Sequence, residues 1–305
     1  MSDVGKLLQK TSRTFALTIP FLPAPTRAEV EIAYLLFRII DTFEDARLWD
    51  PQRRIDALRR FVELLEREPD ASEAMARECA AAPPVTHEGY LELLAEMPFV
   101  LSQFAALRAP ARVLIRKHVA RSADCMSDFV ARCDAEGKLT LHTLDELGAY
   151  CYSVAGIVGE MLTELYLLGR PELMPLAGEL RAKAAAFGEG LQLINILKDA
   201  ERDLEEGRTY LPRQATLDET FDRAEQDLAL ASEYVECLRR GGAEPGLVAF
   251  NAAISKLAIE NLKILRGRGL GAKLSRLDVA RIQAEVTRGL EESAAASGVP
   301  SDLRE

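Results

Sequence analysis

The sequence predicts an all-α fold, one helical domain spanning residues 1–305, and three observations carry that prediction. Alanine, leucine, glutamate and arginine are abundant, and these residues cost least in a helix. Alternating β-branched runs of the strand type are scarce. Breakers recur at intervals that suit helix ends.

In chain order, the Pro20–Pro25 stretch precedes a helix over 27–46, followed by helices over 51–67 and 71–81. Pro83-Pro84 separates these from 87–106 and 108–134, and Gly137 introduces 143–168. Gly169–Pro171 leads into 173–205, Gly207–Pro212 into 219–240, and Gly241-Gly242 with Pro245 into 247–267. A last helix covers 276–296. No long linker and no solenoid-length repeat interrupts the pattern.

Segments 143–168 and 173–205 carry unusual numbers of small residues: Ala155, Gly156 and Gly159 in the first, Ala184–Ala186, Gly188 and Gly190 in the second. Glycine inside a helix costs about 1 kcal/mol against alanine. It is tolerated where another helix or a ligand approaches the backbone, so close helix packing and a long apolar channel both fit.

Hydrophobic residues make up 48% of the chain, enough for a large core and too many for disorder. A net charge of −10 argues against a nucleic-acid binder. Five cysteines, an odd number without a CxxC pair, suit a reduced, cytoplasmic protein. The start MSDVGKLLQKTSRTF lacks the pattern of a secretory signal, and no uncharged apolar run nears the ~20 residues that cross a bilayer. The expectation is a soluble chain, at most peripheral to a membrane. His87, His118 and His142 are the only histidines, and none adjoins a cysteine cluster, which disfavours histidine-centred zinc or triad chemistry.

Two acidic segments stand out. Asp41 and Asp45 lie four residues apart in one helix, and so do Asp199 and Asp203 in another, which puts each pair on one face. The first stripe extends back through Arg38 and Tyr34, the second through Asn195 and Gln192. In helices otherwise built of Ile, Leu and Phe, such stripes are costly to bury without partners. Magnesium, held by carboxylates and shared with substrate phosphates, would supply them. A single acidic i,i+4 pair is more often solvated, as Asp218/Asp222 should be; two pairs with polar extensions point to a site. Arg13, Arg38, Lys198 and Arg208 lie close in sequence and could neutralise a leaving diphosphate. Tyr150 opens the run Tyr-Cys-Tyr-Ser-Val-Ala-Gly, and an aromatic face stabilises a carbocation, although a core tyrosine is the plainer reading.

The segments TSRTF (11–15), Tyr34 with RIIDTFED (38–45), YCYSVAGIVGE (150–160) and GEGLQLINILKDAERDLEEGRTYLP (188–212) resemble the squalene and phytoene synthase family, the head-to-head prenyl diphosphate synthases. The resemblance runs from about Lys10 to Pro212. It implies an isoprenoid-synthase bundle around a central apolar channel. It implies Mg²⁺ ligation by Asp41, Asp45, Asp199 and Asp203, with Glu44 and Asn195 assisting. Diphosphate contacts would fall to Ser12, Arg13, Thr14, Arg38, Lys198 and Arg208, with Tyr34 and Tyr210 also on the substrate side. Tyr150 matches the tyrosine beside the reacting carbons, and Phe15, Val154, Ala155, Gly188, Leu191 and Gln192 would line the prenyl channel. Lys198 stands where the family usually has arginine, keeping the charge and losing the bidentate fork.

The implied reaction joins two farnesyl diphosphates through presqualene diphosphate, to squalene with NADPH or to dehydrosqualene without it. DTFED and TSRTF look more like the squalene synthase pattern than the phytoene type, while the membrane anchor of eukaryotic squalene synthases has no counterpart at the C-terminus. Arg266, Arg268 and Lys273 are candidate cations for NADPH or a second diphosphate. Phytoene synthesis, release of presqualene diphosphate and terpene cyclisation are alternative activities on the same scaffold. A non-catalytic relative should have lost metal ligands, and all four aspartates are present. Pocket depth sets chain length, and Ile19 is a candidate for its floor. A hydrophobic product suggests peripheral membrane contact.

Overall fold

The computed structural model describes residues 3–66, 72–134, 136–205 and 209–296. These form fourteen α-helices, and among the described residues the only β pairing is an isolated bridge between Thr140 and Thr209. Two short helices, α1 (Val4–Thr11) and α2 (Arg13–Thr18), precede α3 (Thr26–Glu44). Next come α4 (Pro51–Leu64), α5 (Ser72–Ala81), α6 (Glu88–Ala95), α7 (Met97–Ala106) and α8 (Ala109–Ala131). The second half holds α9 (Leu144–Cys151), α10 (Ile157–Leu167), α11 (Ala177–Glu205), α12 (Leu217–Arg240), α13 (Pro245–Arg268) and α14 (Arg276–Ala296).

Local chemistry accounts for the ends. Asp50 caps α4 by accepting from the Arg53 N–H at 3.0 Å, with Pro51 in the first turn where its missing N–H costs nothing. Thr216 and Glu219 form a reciprocal capping box on α12.

Three predicted helices are subdivided. The 87–106 segment breaks at Glu96, because Pro98 cannot continue the ladder and instead sits in the first turn of α7. The 143–168 segment contains a π-turn at Tyr152–Gly156, flanked by α9 and α10. The start of 173–205 is a 3₁₀ turn, Pro171–Leu176, with Pro175 inside it, so α11 begins at Ala177. Helices α1 and α2 fall outside the predicted set. At eight and six residues they are too short to stand alone. Tertiary contact holds them: the Tyr34 hydroxyl donates to the Thr11 carbonyl at 3.0 Å.

The long helix α11 packs against α10, α12, α13 and the π-turn, while α3 and α4 pack on α8. The α10–α11 approach requires glycine. A Cβ on Gly159 would stand 2.0 Å from the Ala184 carbonyl oxygen, and one on Gly188 would stand 2.0 Å from that of Ala155. This pair of contacts lets α11 lie directly on the π-turn, which places the inner face of α11 opposite α3.

Candidate active site

The inner faces of α3 and α11 bound a polar cleft of about 700 Å³. From α3 it is lined by Arg38, Asp41, Thr42 and Asp45, and from α11 by Gln192, Asn195, Ile196, Asp199, Arg202 and Asp203. Tyr150 of α9 and Tyr210 close one side; Pro84–His87 and Tyr90 close another. Both aspartate pairs therefore face a common space.

An apolar channel with about 150 Å³ of open space adjoins the cleft. Phe15, Val154, Ala155, Gly188, Leu191 and Gln192 line it, together with Tyr34, Phe37, Met161, Phe187, Phe250 and Ile254. Arg38, Asp41, Gln192 and Asn195 line both spaces and form the junction between them. A separate groove of about 750 Å³ between α8, α10 and α11 has no lining residue in common with the cleft. Its carboxylates are engaged, Glu164 with Arg181 and Glu160 with Arg121, so it lacks the chemistry of the smaller cleft.

Arg38 anchors the junction. Its Nη1 lies 3.3 Å from the Asp41 carboxylate, its Nε donates to the Tyr34 hydroxyl at 3.3 Å, and its guanidinium lies over the Tyr34 and Tyr90 rings at 5.6 and 5.4 Å. Burial alone would lower its pKa, but Tyr34, Asp41 and Tyr90 outweigh that and raise it, so the cation is permanent. Burial raises Asp41 to about 6; Arg38 pulls it down and Asp45 pushes it up. Carboxylates shifted in this way cluster at functional sites.

Tyr150 is buried, stacked on Tyr210 at 4.9 Å and met edge-on by Phe129 at 5.3 Å. Burial, then the nearby Glu44, Tyr210 and Asp45, hold its pKa well above 10, so it stays a neutral phenol that can donate a hydrogen bond.

Several candidate residues sit elsewhere among the described residues. Ser12 caps α2, accepting from the Phe15 N–H at 3.1 Å, and Thr14 is exposed beside it; neither lines the cleft. Glu44 is buried at the end of α3, near enough to Tyr150 to raise its phenol, and lies outside the cleft wall. Lys198 donates to the Asn195 side-chain oxygen at 2.8 Å and lies 3.9 Å from Asp199, contacting the cleft's lining without being part of it. Its pKa is lowered by burial, with Asp199 opposing. Ile19 is a fully buried core residue and does not line the channel.

Arg266 is tied to Asp222 and Glu225 over the Phe221 ring and does not line the cleft; Asp222 is, as expected, a largely exposed carboxylate. Lys273 reaches the site, donating to Asp199 at 3.0 Å, whereas Arg268 ends α13 outside the cleft wall. Arg208 and the Arg13 side chain lie outside the described residues.

Sequence reasoning missed Arg47, Arg202, His87 and Tyr90, which all line the cleft. Arg202 had a readable signal, standing three residues after Asp199 on the same stripe. His87 and Tyr90 had none, because they arrive from a loop and helix more than 40 residues beyond Asp41.

The donor set fits magnesium shared with a ligand. Among the described residues, no three His, Cys, Asp or Glu side chains converge as a closed metal cage. Magnesium is ordinarily held by one or two carboxylates plus waters and substrate phosphates, and two i,i+4 aspartate pairs across a polar cleft suit that mode.

An all-α bundle with a carboxylate-lined mouth on an apolar channel is the architecture of an isoprenoid synthase. The family model for squalene/phytoene synthase matches residues 8–244, more than half of the chain, and the protein belongs to that family. The chain is 29% identical over 210 residues to the squalene synthase of Eremothecium gossypii, covering 68% of itself and 45% of that protein. It is also 29% identical over 211 residues to the Botryococcus squalene synthase of Botryococcus braunii, covering 68% of itself and 42% of the relative. It thus spans less than half the length of these two relatives. The structure of TcSQS with the ligand BPH1237 superposes with a TM-score of 0.73 at 25% identity, covering 98% of this chain and 92% of that one. A dehydrosqualene synthase in complex with ligand shares the fold, with a TM-score of 0.57 at 20% identity over 95% of each chain.

Proposed function

We propose that the protein is a Mg²⁺-dependent prenyltransferase that condenses two farnesyl diphosphates head to head through presqualene diphosphate. The product is squalene if NADPH delivers hydride and dehydrosqualene if a proton leaves instead. One observation carries this reading: Arg38, Asp41, Gln192 and Asn195 belong to the polar cleft and the apolar channel at once. A diphosphate head joined to a hydrocarbon tail is the ligand class that fills both.

Asp41, Asp45, Asp199 and Asp203 would hold Mg²⁺, which when bound supplies positive charge to the departing diphosphate. Arg38 adds a fixed guanidinium at the point where head meets tail, and Asn195 and Gln192 orient the head through their amides. Tyr150 offers an aromatic face to an allylic cation and a protonated hydroxyl to the diphosphate. The apolar channel walls keep water from quenching the cation.

A cavity of about 150 Å³ accommodates a benzene-sized guest, so a fifteen-carbon tail requires the channel to widen. Met161, flexible and in the lining, is the side chain best able to yield. The C30 product is purely apolar and would leave by way of a bilayer, which calls for peripheral membrane contact. No helix of the described residues is long and apolar enough to cross a membrane.

The test is incubation with farnesyl or geranylgeranyl diphosphate and Mg²⁺, with and without NADPH, followed by mass spectrometry of the products. A C30 hydrocarbon from farnesyl diphosphate is expected. A C40 product from geranylgeranyl diphosphate alone would reassign the substrate, and no diphosphate release from either would refute the enzyme reading.

A further inference from the structure

The first acidic pair lies on the last turn of α3, where a helix leaves its final carbonyl groups without intrahelical partners. That turn is enclosed: Phe43 and Ala46 are fully buried and Glu44 is 6% exposed, so the protein itself must supply donors. Asp41 accepts from the Asp45 N–H at 2.8 Å and Phe43 accepts from the Ala46 N–H at 3.3 Å. The Glu44 carbonyl is satisfied by a side chain: Arg54, in the first turn of α4, donates Nη2 to it.

Arg54 is itself only 6% exposed and lines neither the cleft nor the channel. Its Nη1 faces the Cys133 sulfur at 3.9 Å, and its Nε has no hydrogen-bond partner among the described residues. A buried guanidinium with an idle N–H is a poor device for stability, since apolar replacements of buried ions are often neutral or better. What it does provide is position. It sets a fixed positive charge on the negative end of the α3 dipole and grips the carbonyl immediately before Asp45, the residue at which the helix ends.

We propose that Arg54 is a positioning residue for the first acidic motif: by clamping the Glu44 carbonyl it fixes the last turn of α3, so that Asp41 and Asp45 meet a magnesium–diphosphate head in one geometry. The inference rests on the proposed function and adds to it a residue that touches neither metal nor substrate.

The full-length protein is titrated with Mg²⁺ at fixed inorganic pyrophosphate, and binding is read from thermal stabilisation and calorimetry rather than turnover. Wild type is expected to respond. Arg54→Met, which keeps the packing without the donors, should retain helical circular dichroism. Its half-saturating Mg²⁺ should rise about tenfold or more, as when outer partners of metal ligands are removed. Arg54→Lys, which keeps the charge and loses the fork, should fall between the two. In an Asp45→Asn background the further change to Met should shift the midpoint far less, because the positioned carboxylate is gone.

A purely structural role would lower the melting temperature and leave the midpoint where it was. A folded Arg54→Met protein with a wild-type midpoint would overturn the proposal; should that variant not fold, a wild-type midpoint in Arg54→Lys would do the same. A wild-type protein indifferent to Mg²⁺ and pyrophosphate would overturn the synthase reading and this inference with it.

Discussion

Replacing Asp41 with asparagine should stabilise the protein at neutral pH while removing its activity. Burial raises the Asp41 pKa from 3.8 to about 6, against the pull of Arg38 and with the push of Asp45. A carboxyl with a raised folded pKa binds its proton more tightly in the native state. Its contribution to stability is complete below about pH 4 and is lost as pH rises through about 6. A rise of this size corresponds to about 3 kcal/mol, at roughly 1.4 kcal/mol per pH unit. The side chain is 25% exposed, so screening by solvent trims the figure to about 2 kcal/mol. Asparagine imitates the protonated acid and should recover that amount. Urea denaturation at pH 8 should show the variant more stable by about 2 kcal/mol, with about half the gain at pH 5 and almost none near pH 3. A variant less stable than wild type at pH 8, or a gain independent of pH, would refute the assignment of strain to this carboxylate. With the same raised pKa, protons would compete below about pH 6 with any Mg²⁺ held by Asp41 under the proposed function.

Two further substitutions probe the packing and the second acidic pair. Gly188→Ala places a methyl group 2.0 Å from a backbone oxygen that cannot turn aside, and urea denaturation should show a loss of about 1–3 kcal/mol. Gly178→Ala, in the same helix with nothing within 4 Å of its new Cβ, should instead gain up to about 1 kcal/mol. Asp199→Asn removes the carboxylate that receives Lys273 and faces the cleft, and turnover of farnesyl diphosphate should vanish with circular dichroism unchanged. A wild-type rate in that variant would mean the second acidic stripe takes no part in the reaction.

The sequence was most readable where one helix repeats its own message. Gln192, Asn195, Asp199 and Asp203 follow helical spacing, and the structure turns all four into one cleft. The close helix packing was legible through its glycines, since Gly159 and Gly188 mark where two backbones meet, and both also line the apolar channel. Less was legible where position depends on a distant element. Glu44 belongs to the acidic motif in sequence, yet at the end of α3 it is buried near Tyr150. Tyr90 has no local mark of function and acquires one by lying across Arg38. The break at Pro98 was written in the sequence, whereas the π-turn at Tyr152–Gly156 was not. At that turn Ser122 of α8 donates to the Ser153 carbonyl at 2.6 Å, a long-range bond that periodicity does not reveal.

The glycine crossing of α10 and α11 also divides the freedom to change between backbone contacts and side chains of the channel. At the crossing, any residue larger than glycine at 159 or 188 runs into main chain, so descendants of this sequence have little to vary at those two positions. Around them stand Phe15, Phe37, Met161, Phe187, Phe250 and Ile254, side chains that can be trimmed or enlarged without moving a backbone. Adaptation to longer or shorter prenyl tails would therefore be recorded in such side chains, with Gly159 and Gly188 as the fixed points of the wall.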